Sequence, residues 1–97
     1  MKRLEVTDNE IIQLVRSKKR AGAEALYDIY SKSLFLAIIR IIPEKEPAEE
    51  VLLQTYIRTW NSFEEYNTAS CTLLAWMMRT ARELAKERSA VKVITTV

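Results

Sequence analysis

Residues 48–60, AEEVLLQTYIRTW, constrain the fold most. At about 100° per residue, Val51, Thr55, Ala48, Thr59, Leu52, Tyr56, Trp60 and Leu53 fill one wide arc of a helix and leave Glu50, Gln54 and Arg58 as a narrow polar row. Most of this helix is predicted to be buried, with one strip kept outside. Ile57 and Leu53 border the strip, so the outer face mixes apolar and polar groups, the usual make-up of a protein contact. A polar face is equally the expected solvent side of any amphipathic helix.

Three more helices are predicted around this one. Thr7 followed by Glu10 fits a capping box, so a first helix begins near Asp8, with Ile11, Ile12 and Val15 as its apolar stripe and Lys18, Lys19 and Arg20 at its end. Gly22 fits either the end of that helix or the first turn of the next. The longest helix is expected from about Ala21 to Ile42, with Leu26, Tyr30, Leu34, Ala37, Ile38 and Ile41 on the helical period. Residues 34–42 are apolar almost all round, which predicts a central position covered on several sides. Tyr27 and Tyr30 could serve as stacking platforms for bases, but they share the leucine period, which favours core packing. Pro43 stops the helix, and Pro47 suits the first position of the next, with Glu49 and Glu50 in its first turn.

Residues 61–72, NSFEEYNTASCT, have loop composition, and about a dozen residues is long for a helix-to-helix connection. Phe63 and Tyr66 are expected to pin it to the core. A last helix runs from Leu73 to Ser89 or Ala90. Leu73, Met77 and Leu84 lie close together on it, Leu74, Met78, Ala81 and Ala85 continue the apolar arc, and Arg79, Arg82 and Lys86 share the opposite side. A solvated basic face and a nucleic-acid contact both fit that row. The tail, residues 91–97, is β-branched and is expected to fray or to lead into a linker, which sets one domain at residues 1–90.

The 97 residues suffice for one domain with a core, burying roughly 60 to 70% of the unfolded surface. The lone Cys71 suits a reducing cytoplasm, and the longest apolar run is far too short to span a bilayer, so a cytoplasmic protein with no membrane partner is expected. The chain has no histidine, one cysteine and one glycine, which argues against metal sites, nucleophilic catalysis and phosphate-cradling loops. No enzyme activity, cofactor, catalytic residue or metal ligand is assigned. The net charge of +2 hides a polar layout, with cations at residues 16–20 and 79–92 and Glu44, Glu46, Glu49 and Glu50 between them. That layout suggests two different partner surfaces.

Taken together, ALYDIY at residues 25–30, AEEVLLQTYIRTW at 48–60 and LLAWMMRTAREL at 73–84 look like the region-two domain of a bacterial RNA polymerase sigma factor of the extracytoplasmic-function group. The likeness covers roughly residues 8–88. It implies an all-α, compact bundle of about four helices that binds the β′ clamp helices of core RNA polymerase and recognises and melts the Pribnow-box element of promoter DNA. Under it, Glu49, Glu50, Leu53, Gln54, Ile57 and Arg58 fall at the polymerase contact. Asn67, Thr68 and Ser70 fall in the loop that captures a flipped base of the single-stranded non-template strand, a step that must offset a few kcal/mol of unstacking. Trp76, Arg79, Arg82, Glu83 and Lys86 fall on the helix that reads the melted strand, with Glu83 where the family commonly has asparagine. Leu53 and Gln54 stand where a glutamine-glutamate pair is usual, and Cys71 where glycine is common. The family's carboxy-terminal helix-turn-helix domain has no counterpart in these residues. The alternative left open is a helical interaction module that binds a polymerase subunit or an anti-sigma factor as a decoy or regulator without reading promoters.

Overall fold

The computed structural model describes residues 8–95, with side chains within residues 9–90. Among them every regular element is helical: α1 Asp8–Arg16, α2 Arg20–Ile39, α3 Lys45–Asn61 and α4 Leu73–Thr95, with one 3₁₀ turn, Phe63–Glu65, between the last two. No helix in this stretch is long and apolar enough to cross a membrane.

The bundle is built around α2, which packs on each of the other three helices, while α3 also packs on α4. Leu26, Tyr30, Leu34 and Ile38 recur every four residues along α2 and are all buried, forming the seam into which the neighbours fit. Ile11, Ile12 and Val15 come from α1, Ala48 and Val51 from α3, and Leu73, Met77, Ala81, Leu84 and Ala85 from α4. These were the apolar stripes expected from spacing.

Residues 34–42 are covered on several sides, as expected, with Leu34, Ile38 and Ile42 buried, and one side stays open. Leu36 is 53% exposed, Arg40 is exposed, and Ala37, Ile39 and Ile41 are only half-buried. Three neighbouring helices occupy three directions around α2 and leave a fourth open. The assignment of Tyr27 to the core is corrected: it is 56% exposed, whereas Tyr30 is buried. Residues three apart on a helix point about 60° apart, enough for Tyr30 to lie on the Leu26–Leu34–Ile38 seam while Tyr27 stands at its edge.

Helix ends also differ from expectation. The second helix stops at Ile39, three residues short of Ile42, because the residue before Pro43 is sterically pushed out of the helical region. The chain unwinds through a turn in which the Ile41 and Ile42 amides both donate to the Ile38 carbonyl. Pro47 is the third residue of α3 and not the first, which is equally permitted because none of the first amides has an intrahelical acceptor. The last helix continues to Thr95, past the expected end at Ala90. Each β-branched residue lowers helix propensity by only tenths of a kcal/mol, too little to stop a helix already propagating. Thr7, the capping residue expected for α1, lies outside the described residues.

The corner between α1 and α2 is closed by two residues. Lys18 takes the left-handed conformation, φ 56°, with its amide donating to the Val15 carbonyl and the Lys19 amide to the Leu14 carbonyl, a Schellman-type end. The cap thus falls on Lys18, and Gly22 belongs to the first turn of α2. A Cβ on Gly22 would stand 2.8 Å from both the Leu14 carbonyl carbon and the Val15 amide nitrogen. Only glycine lets the two backbones come that close.

Candidate docking surfaces

The outer face of α3 emerges as the mixed apolar and polar surface expected. Glu49, Glu50, Gln54 and Arg58 are exposed, while Ala48, Val51, Thr55 and Thr59 face the core. Leu53, at the edge of the apolar arc where it borders the strip, is 60% exposed, and Ile57 beside it is 51% exposed.

Between α2 and α3 lies an open groove of about 890 Å³, walled by Tyr27 and Phe35 on one side and Leu52, Leu53, Tyr56 and Ile57 on the other. Three large apolar side chains that stand in solvent, Tyr27, Leu53 and Ile57, therefore share one concave surface. The Tyr27 and Tyr56 rings sit 5.4 Å apart in the groove wall. Tyr56 donates long hydrogen bonds to the Leu26 and Tyr27 carbonyls, at 3.4 and 3.5 Å. Burial pushes its phenol well above the ordinary tyrosine range, so it stays a neutral donor. At the far end, Lys18 Nζ donates to the Trp60 carbonyl at 2.6 Å and lies 4.7 Å above the Trp60 ring, tying the α1–α2 corner to the end of α3.

On α4, Arg79, Arg82 and Lys86 are all exposed, one and then a second turn apart, and Glu83 stands exposed between them. They form a single face opposite the buried Leu73, Met77 and Ala81. Arg88 is not part of that face. It lies on the α3 side, with its Nη1 2.7 Å from Glu50 Oε1. Sequence reasoning passed over this pair, although Arg88 falls within about 40° of Leu84 on the wheel, which flags a cation turned toward a neighbouring helix.

The connection between α3 and α4 is more built than its composition suggests. Phe63 and Tyr66 are buried and pin it, as expected. Trp76 joins them: its ring centroid is 5.8 Å from Phe63, edge-on, and 5.1 Å from Tyr66, leaving it half-buried. The Tyr66 hydroxyl donates to the Cys71 carbonyl at 2.8 Å, and Asn67 Oδ1 accepts from the Ala69 amide at 2.9 Å. Thr72 caps α4 through its Oγ1, which accepts from the Ala75 amide at 3.1 Å. Asn67, Thr68 and Ser70 are exposed on this braced loop. Comparison with protein-family models, curated proteins and solved structures finds no match to the chain.

Proposed function

We propose that the chain is a sigma-factor region-two domain, docking on core RNA polymerase through the outer face of α3 and holding the melted non-template promoter strand with the 61–72 loop and the α4 cations. One observation carries the reading: two exposed faces of opposite character coexist on adjacent helices. Leu53 and Ile57, more than half in solvent and flanked by Glu49, Glu50, Gln54 and Arg58, suit a protein partner; Arg79, Arg82 and Lys86, aligned on α4, suit phosphates.

Three cations give weak affinity at physiological salt, so the isolated domain binds single strands loosely and depends on polymerase for tight engagement. Each phosphate neutralised on a single strand contributes about 0.7 to the slope of log affinity against log salt. The double variant Arg79→Ala, Arg82→Ala therefore flattens that slope by about 1.4, read by fluorescence anisotropy on a Pribnow-box single strand. An unchanged slope removes the α4 face from the function.

A second reading is favoured by Trp76. Its ring is engaged with Phe63 and Tyr66, which withdraws stacking surface that a flipped base would use. Glu83 within the basic row adds about 1 kcal/mol of repulsion for a phosphate at 4 Å in water. A regulator that occupies polymerase without reading DNA fits those two residues. Binding to core polymerase with none to the Pribnow-box strand selects it.

A further inference from the structure

Glu50, central to the α3 strip, already has a cation. The Arg88 guanidinium lies 2.7 Å from its carboxylate, and both side chains remain partly in solvent, 38% for Arg88 and 59% for Glu50. Arg88 serves no other surface described here: it points roughly 150° away from the centre of the Arg79, Arg82 and Lys86 row. A partner that meets Glu50 with its own basic group must first displace Arg88.

We propose that Arg88 is an internal stand-in for the partner's cation, a competing contact that holds Glu50 and sets the strength of docking on α3. The inference rests on the docking reading above and adds to it the residue that opposes docking. Exchange is feasible because the displaced guanidinium returns to water from a pair that is half-open to begin with. An exposed ion pair shifts an equilibrium by up to about fivefold, so Glu50 is free for only a fraction of the time, and apparent affinity falls in proportion to that fraction.

The test titrates the labelled 97-residue chain with bacterial core RNA polymerase at one fixed salt concentration and records thermal melting in parallel. Arg88→Gln is expected to bind about two- to sixfold tighter while melting slightly lower, so affinity and stability move in opposite directions. Arg88→Lys, which keeps the charge, stays near the parent chain. In a Glu50→Gln background Arg88→Gln changes affinity no further. A passive structural tie would lower both quantities together, and Arg88→Gln binding equal to or weaker than the parent overturns the proposal. If the parent binds and Glu50→Gln binds equally well, Glu50 lies outside the contact and the lock alone falls. If the parent does not bind polymerase at all, the docking reading falls and takes the lock with it.

Discussion

Two joints on α2 are made by opposite means. At the α1–α2 corner the backbones meet with no room for a single carbon on Gly22, and Lys18 accepts a left-handed backbone to make the turn. Beside the packed α2–α3 seam, Tyr27 and Tyr56 meet ring to ring in the wall of an apolar groove open to solvent. The corner is specified by the absence of a side chain, the groove by apolar side chains that stand beyond the packed seam. Close packing gives rigidity and leaves no surface to dock on; the groove leaves Leu53 and Ile57 exposed, where the proposed partner would dock.

The contrast can be broken most directly at the glycine. Gly22→Ala improves intrinsic helix propensity by up to about 1 kcal/mol, yet the new Cβ has to push two backbone atoms aside, and overpacking of this kind costs about 1–3 kcal/mol. A net loss of about 1 kcal/mol or more in urea unfolding is expected; a gain would mean the corner is not closed as described. In the groove the larger effect is on binding: Ile57→Asp costs about 1 kcal/mol of stability, because half of the side chain is buried, and weakens the proposed polymerase docking at least about tenfold.

A smaller effect separates strain from bracing at Lys18. Lys18→Ala keeps the left-handed strain and loses both the bond to the Trp60 carbonyl and the cation over its ring, for a loss of about 1 kcal/mol. Lys18→Gly loses the same brace but relieves the strain, and should lie near the parent in chemical denaturation. Equal losses in the two variants would show that the backbone there is unstrained. The smallest change is expected inside α3. Thr59 Oγ1 is buried without a hydrogen-bond partner among the described residues, whereas Thr55 Oγ1 donates to the Val51 carbonyl at 2.8 Å. Thr59→Val therefore raises stability by about 0.5–1 kcal/mol, and Thr55→Val does so less, measured as the shift in urea midpoint.

The stripes on α1 and α4 were legible because their apolar residues repeat at the helical spacing with no competing pattern, and Phe63 and Tyr66 were legible because large aromatics in a polar loop have nowhere to go but the core. The coherence of Arg79, Arg82 and Lys86 followed from angle alone. Tyr27 was misjudged because hydrophobicity states what a side chain prefers, and the number of neighbouring helices states what it receives.

Helix content, the polar strip on α3 and the cationic row on α4 were thus properties of the chain itself, since each depends on residues within a few turns of one another. The distant pairings, Gly22 against Leu14 and Val15, Lys18 against Trp60, Arg88 against Glu50 and Trp76 against Tyr66, were decided by tertiary structure. Three of them bring together residues far apart along the chain or across a loop, and Gly22 turns on a backbone clearance; helical periodicity encodes the facing of one helix and carries no information about which neighbour meets that face, or how closely.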